Sequence, residues 1–276
     1  MEIGSDSQLT EFLSHGHLLI KVNDSVWEMI SATFAAGYAF FRNRPEDKLP
    51  NKLSQDGGYR PYGIEYSKSP DILDEIESFT ATDRTRNEKP PNIEARVLHD
   101  HMLRTFDALR SIAEDLTIRL AEHLSKQPHR RNWQGAMRRW SRLQMSYARP
   151  TQTISPFITE SHEDGVLMTL VCATSPGFEV QTSTNDYIPL TTAPGEVIAM
   201  AGEITWLLSG GVVKPVYHRV RPVGPYQERL SLIFLGDVHP RLCIPWITNE
   251  VNANVKIGER VLASAARFGL SPFVGE

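Results

Sequence analysis

Three side chains from separate parts of the chain have the types that bind a divalent metal ion. His162 and Asp164 stand two residues apart, and His218 follows in the strand-like segment 216–220. In an extended segment, side chains two residues apart point to the same face, so His162 and Asp164 would converge while Glu163 turns away. Two imidazoles and one carboxylate on one face of an octahedron suit Fe(II) and leave three positions open. The pattern therefore predicts a ferrous site.

A second pair with the same spacing follows in the next apolar run. Arg229 and Ser231 would face the same way on a strand. A planar guanidinium matches a carboxylate through two parallel hydrogen bonds, and a Ser hydroxyl adds a third. We therefore expect Arg229 and Ser231 to grip the far carboxylate of a dicarboxylic acid that chelates the metal.

The elements that must position these residues change character near residue 141. Before it, apolar residues recur at helical spacing over 24–41 and 93–125, and a loop rich in Gly, Pro and Tyr covers 54–70. After it come about eight short apolar or alternating runs between turn residues. They are 143–147, 156–162, 166–173, 177–182, 187–190, 196–202, 216–223 and 229–238. Helices followed by such strands predict an α+β protein, with a double-stranded β-helix (jelly-roll) core flanked by helices.

We expect the chain to form one integrated domain with three parts. Residues 1–140 would be a mainly helical region packed on the core, 141–240 the jelly-roll catalytic core, and 241–276 a C-terminal helix and tail. Hydrophobic residues make up 41% of the 276 residues and charged residues 22%, which is enough to bury a sizeable core.

Charge and cysteine content exclude several classes of partner and site. A net charge of −4 without a long basic run disfavours a nucleic-acid partner, and 2 cysteines are too few for a disulfide framework or a thiolate zinc site. No apolar run is long enough to span a membrane, and no signal peptide is visible. We expect a cytoplasmic protein that acts on a small molecule, without a membrane or nucleic-acid partner.

Taken together, His162-x-Asp164, His218 and Arg229-x-Ser231 within this strand pattern resemble the 2-oxoglutarate/Fe(II)-dependent dioxygenase superfamily. The branch to which the chain looks most similar is the isopenicillin N synthase-like one. Further similarity to that branch lies in the segments 37–41, 45–48, 58–63, 70–75, 193–196 and 200–203. The resemblance covers roughly residues 15–240, which is most of the chain.

The resemblance implies a dioxygenase with Fe(II), 2-oxoglutarate and O₂ as cofactors. It would oxidise an unactivated C–H bond of a small molecule by hydroxylation, desaturation or cyclisation, in specialised metabolism such as antibiotic biosynthesis. The segment 145–150 stands where the branch contacts its co-substrate, so Ser146 and Tyr147 are candidates for that contact.

For the substrate, the resemblance points to the Gly- and Pro-rich loop. Tyr59, Arg60 and Tyr62 lie in it and are candidate substrate contacts, and Phe234 is a candidate wall of the pocket.

Two other functions are compatible with the same residues. An isopenicillin N synthase-like oxidase would use the Arg-x-Ser pair for its substrate and would not need 2-oxoglutarate. A non-catalytic binding protein could have kept the scaffold. By contrast, His99 and His101 lie two apart in a predicted helix, where they point in nearly opposite directions, so we expect a solvated helix face there.

Overall fold

A computed structural model describes residues 6–54, 57–127, 133–150, 155–222, 224, 227–264 and 266. Its helices are α1 (Asp6–His15), α2 (Asp24–Phe41), α3 (Pro45–Lys48), α4 (Ile93–Ser125), α5 (Glu203–Leu208) and α6 (Ile257–Ser264), with 3₁₀ turns at Leu49–Asn51, Asp83–Thr85 and Pro240–Leu242. Its strands are β1 (His17–Lys21), β2 (Gly58–Arg60), β3 (Glu77–Thr82), β4 (Arg142–Ala148), β5 (Thr159–His162), β6 (Met168–Ala173), β7 (Phe178–Gln181), β8 (Tyr187–Pro189), β9 (Glu196–Ala201), β10 (His218–Val220) and β11 (Arg229–Gly236).

The two long helices form where the apolar spacing predicts them. Asn23 caps α2 by accepting a hydrogen bond from the backbone N–H of Val26, and Asn92 caps α4 by accepting from two backbone N–H groups. Helix α4 packs on α2 and on the strands of the larger sheet. No described helix is both long enough and apolar enough to cross a lipid bilayer.

Two antiparallel sheets form the core. The larger has seven strands in the order β1-β9-β6-β11-β4-β3-β2, and the smaller has four in the order β5-β10-β7-β8. One face of the larger sheet packs on the helices, and the other contributes to a second apolar cluster with strands of the smaller sheet, including Phe178, Val180 and Met200. The predicted α+β fold with a jelly-roll core and flanking helices is confirmed, and all eight predicted strands are present.

Three strands of the larger sheet, β1, β2 and β3, lie in the N-terminal part of the chain, which we predicted to be mainly helical. The predicted loop 54–70 contains β2, and β3 follows it. Strand β3 reads Glu-Ser-Phe-Thr-Ala-Thr and is buried along its whole length, although four of its six residues are polar. Its one charged residue finds partners, because the Lys48 ammonium and the Arg149 guanidinium both donate to Glu77.

The solvated position predicted for His99 is wrong. Its side chain is 1% exposed, with Nε2 lying 3.1 Å from the Thr85 hydroxyl and the ring beside that of Phe79. Burial lowers the pKa of His99, so the ring is held neutral in this apolar setting. In the predicted C-terminal part, 241–276, the α-helix among the described residues is Ile257–Ser264.

Candidate metal centre and its cavity

His162, Asp164 and His218 converge between the two sheets. His162 ends β5 and His218 begins β10, and the antiparallel pairing of these strands sets the two residues directly opposite each other. One ligand atom from each of the three side chains lies within 4.8 Å of the others, and no other such group occurs in the described part of the chain. The Nε2 atoms of His162 and His218 lie 3.7 and 3.9 Å from Oδ1 of Asp164.

Backbone carbonyls determine which nitrogen of each imidazole faces the centre. Nδ1 of His162 donates to the Glu160 carbonyl at 2.7 Å, and Nδ1 of His218 donates to the Val216 carbonyl at 3.0 Å. Because a carbonyl oxygen can only accept, both Nδ1 atoms carry hydrogen and both Nε2 lone pairs are left for a metal. Burial, together with the neighbouring His218, lowers the pKa of His162 to about 4, so its ring is neutral at pH 7.

The carboxylate of Asp164 is oriented in the same way. The Thr169 hydroxyl donates to Oδ2 at 2.6 Å, which leaves Oδ1 toward the two histidines. The backbone N–H of Glu203 donates to the Asp164 carbonyl at 2.9 Å and anchors the loop on α5. Gly202 makes this close approach possible, since a Cβ there would lie 2.1 Å from the Val166 carbonyl oxygen. Strand β5 ends at His162, so this anchored loop, and not the extended segment we predicted, brings Asp164 to the centre.

A cavity of about 120 Å³ connects these three side chains with Arg229 and Ser231. Alternate residues of two neighbouring strands line it, because successive side chains of a strand point to opposite faces. From β4 these are Arg142, Gln144, Ser146 and Ala148, and from β11 they are Arg229, Ser231, Ile233 and Leu235. The cavity therefore runs along the inner face of the larger sheet, with the candidate metal centre on one side of it.

Arg229 places a buried positive charge in this cavity. Its side chain is 4% exposed, its Nε lies 3.3 and 3.2 Å from the carbonyls of Ser175 and Pro176, and its Nη1 donates to the Ser231 hydroxyl. Burial lowers the pKa of Arg229 to about 10, which still leaves the guanidinium charged at pH 7. No carboxylate of the described residues pairs with it. The cavity thus contains a positive charge that no carboxylate of the described residues balances.

Three of the predicted contact residues face away from the cavity. The Tyr147 ring stacks on Phe41 at 5.1 Å, and its hydroxyl donates to Glu228 at 2.6 Å. Phe234 is fully buried with its ring 5.5 Å from that of Phe106 on α4. Tyr147 and Phe234 each belong to the alternate residues of their strand that face the helices. Tyr59 is likewise buried, with its ring 5.7 Å from that of Phe40 and its hydroxyl donating to a carboxylate of β3.

The other two predicted substrate contacts also lie outside the cavity. Arg60 is buried, and its Nη1 lies 3.6 Å from Oε1 of Glu65. Tyr62 is exposed, and its hydroxyl donates to the Glu75 carboxylate. The loop nevertheless reaches the cavity through later residues, which are Glu65, Tyr66, Ser67, Asp74 and Ile76. The Gly and Pro content of the sequence predicts the loop, but it does not indicate which residues of the loop line the cavity.

Residues 140–237 match the family model described as the 2OG-Fe(II) oxygenase superfamily. The matched segment contains the three candidate metal ligands and the Arg-x-Ser pair. This segment belongs to the 2OG-Fe(II) oxygenase superfamily. The matched segment is therefore that of a 2-oxoglutarate/Fe(II)-dependent dioxygenase, a class of oxidoreductase that uses Fe(II), 2-oxoglutarate and O₂. The resemblance stated from the sequence is confirmed for the superfamily, with which the isopenicillin N synthase-like branch is compatible.

Solved structures share the fold at low sequence identity. A full-length Neurospora crassa protein in complex with alpha-KG and thymine is 18% identical, with a TM-score of 0.71 over 93% of this chain and 90% of that one. A 2OG-Fe(II) oxygenase family protein from Caulobacter crescentus is 20% identical, with a TM-score of 0.73 over 92% and 90%. The Arabidopsis thaliana dioxygenase for auxin oxidation 1, in its 2-oxoglutarate complex, is 18% identical, with a TM-score of 0.67 over 86% and 91%. A comparison with curated proteins gives no match.

Proposed function

We propose that His162, Asp164 and His218 hold the Fe(II) of this dioxygenase. The donor set supports the assignment, because two neutral imidazoles and one carboxylate on one side of the ion suit Fe(II) and leave positions for co-substrate and O₂. The Nδ1 hydrogen bonds of both rings and the Thr169 hydroxyl on Asp164 favour the same three atoms as ligands. When bound, Fe(II) with 2-oxoglutarate and O₂ supplies the oxidising chemistry, and the protein orients the reactants and excludes water.

Arg229, Ser231 and Ser146 are our candidates for binding the far carboxylate of 2-oxoglutarate. Ser146 lies opposite Ser231 in the pairing of β4 with β11, and all three side chains line the cavity. The observation that carries the proposal is the buried Arg229 guanidinium, which has no acidic partner among the described residues and shares a cavity with the three metal candidates. The alpha-KG and 2-oxoglutarate complexes of structures with the same fold add support.

For the reaction, the proposal is oxidation of an unactivated C–H bond of a small molecule. A substrate must fit the cavity between the sheets, and the thymine complex of the Neurospora crassa protein supports a small substrate. Hydroxylation is the outcome we expect, while desaturation and cyclisation need the same hydrogen removal. Our working interpretation of its role is specialised metabolite biosynthesis, antibiotics included, in the cytoplasm.

The test is succinate release by protein loaded with Fe(II) under anaerobic conditions and then given 2-oxoglutarate and O₂. Small molecules are screened for those that accelerate this release. We expect His162→Ala, Asp164→Ala and His218→Ala each to abolish succinate release in a folded protein, whereas His101→Ala on α4 retains it. Near-normal release by any of the three variants would refute the metal assignment. O₂ consumption without succinate would favour the isopenicillin N synthase-like oxidase instead.

A further inference from the structure

Two acidic side chains of the loop between β2 and β3 line the cavity beside the candidate metal centre. Glu65 is 9% exposed and Asp74 is 6% exposed, and the backbone N–H of Asp74 donates to the Glu65 carbonyl at 2.9 Å. Both acids line the same cavity as the candidate metal ligands His162 and Asp164. Neither acid is needed by the metal or by 2-oxoglutarate in the proposed function.

The protein itself compensates the charge of Glu65. Gln144 Nε2 donates to its Oε2 at 2.9 Å, the Ser78 hydroxyl donates to its Oε1, and Arg60 Nη1 lies 3.6 Å from the same oxygen. A cation and two neutral donors therefore surround this carboxylate. Because groups of the protein already compensate its charge, Glu65 is a poor candidate for binding a ligand.

Asp74 differs from Glu65 in this respect. The Ser67 hydroxyl donates to its Oδ2 at 2.6 Å, but Oδ1 is buried and has no hydrogen-bond partner among the described residues. None of the ion pairs of the described chain includes Asp74. Burial raises the pKa of Asp74 to about 6, because a buried carboxylate with one oxygen that lacks a donor is poorly stabilised, so the cavity wall contains an acceptor that a ligand can satisfy.

The metal and the co-substrate do not account for Asp74. The two charges of Fe(II) and the one of Arg229 would be balanced by Asp164 and the dianion of 2-oxoglutarate. Arg142 also lines the cavity, but no group of the described chain donates to Oδ1 of Asp74. A ligand with N–H donors would satisfy that oxygen, and a cationic ligand would also interact favourably with the charge of the carboxylate.

We propose that the substrate carries a protonated amino group and that Asp74 binds it, so that Asp74 determines substrate class and orients the neighbouring C–H bond toward the metal centre. An ammonium offers three N–H donors, enough for Oδ1 and for a second acceptor nearby. The inference rests on the proposed function, since it assigns the same cavity to the substrate.

The test compares pairs of probes that differ only by an amine in place of a hydroxyl. Benzylamine with benzyl alcohol and cyclohexylamine with cyclohexanol serve, and their binding to protein loaded with Zn(II) and 2-oxoglutarate is measured by ligand-detected NMR. We expect the amine of at least one pair to bind at least tenfold more tightly than its alcohol. Asp74→Asn should reduce that preference to less than twofold, whereas Asp71→Asn, the same change at an exposed residue of the same loop, should keep it.

A second measurement separates a binding role from a structural one. If Asp74 awaits a ligand, Asp74→Asn should unfold at the same temperature as the unliganded wild type or higher. A lower melting temperature of this variant would overturn the proposal, and so would equal binding of amine and alcohol in every pair. Loss of Zn(II) or 2-oxoglutarate binding in Asp74→Asn alone would also overturn it, because Asp74 would then serve the metal. If the wild type itself failed to bind Zn(II) or 2-oxoglutarate, that result would instead refute the proposed function.

Discussion

Replacing Arg229 by Gln tests whether the buried guanidinium binds the co-substrate. The change removes the charge and shortens the side chain at a position that is 4% exposed and lies in the cavity. In the variant, the far carboxylate of 2-oxoglutarate would enter a buried position without a cationic partner. Removing one partner of a buried charge pair costs about 2–5 kcal/mol.

At about 1.4 kcal/mol for each factor of ten, this cost corresponds to a Kd for 2-oxoglutarate raised roughly 30-fold to several thousandfold. Arg229→Lys keeps the charge but not the planar fork that reaches Ser231 and the carbonyls of Ser175 and Pro176. We expect at least about a tenfold increase in Kd for this variant, because a point charge cannot replace a bidentate contact.

The assay is anaerobic calorimetric titration of 2-oxoglutarate into protein loaded with Fe(II). Arg219→Gln is the matched control, because Arg219 lies on β10, pairs with Glu179 at 2.6 Å and does not line the cavity. The control should bind 2-oxoglutarate like the wild type. A Kd for Arg229→Gln within about threefold of the wild type would refute the assigned role of the guanidinium, since that factor is far below the expected loss.

Four further substitutions address the geometry around the centre. Thr169→Val removes the hydrogen bond to the second oxygen of Asp164 and should weaken metal binding about 10- to 100-fold, as measured by anaerobic Fe(II) titration. Gly202→Ala should lower the free energy of unfolding by about 1–3 kcal/mol in chemical denaturation and weaken metal binding, because the new Cβ would lie 2.1 Å from a carbonyl oxygen. Ser146→Ala should raise the Kd for 2-oxoglutarate about fivefold, the equivalent of about 1 kcal/mol, whereas Tyr147→Phe should leave it unchanged. Equal effects of the last two changes would contradict the inward and outward alternation along β4.

The long helices and the strands after residue 141 could be predicted from the sequence, because the spacing of their apolar residues reflects burial on one face. The stripes of α2 and α4 and the short runs after residue 141 belong to this class. The same alternation explains why two predicted contacts lie outside the cavity. Once Arg229 and Ser231 are placed toward the cavity, Phe234 must face the helices, and Ser146 and Tyr147 cannot both face inward.

Features that depend on the path of irregular chain were not accessible in this way. Strand β3 is buried although most of its residues are polar, and Glu77 is paired with Lys48, so its composition does not indicate burial. Asp164 reaches the centre through a loop held by Thr169 and the start of α5, and no periodicity encodes that path. The cavity-lining positions of Glu65 and Asp74 likewise depend on how the loop between β2 and β3 folds back onto the sheets.

The position of a bound metal tests the central claim most directly. In crystals grown anaerobically with Mn(II) as a substitute for Fe(II), the anomalous signal of the metal gives its place without reference to activity. Our account predicts one peak about 2.1–2.3 Å from Nε2 of His162, Nε2 of His218 and Oδ1 of Asp164. A metal bound elsewhere, or one bound there without His218, would contradict it.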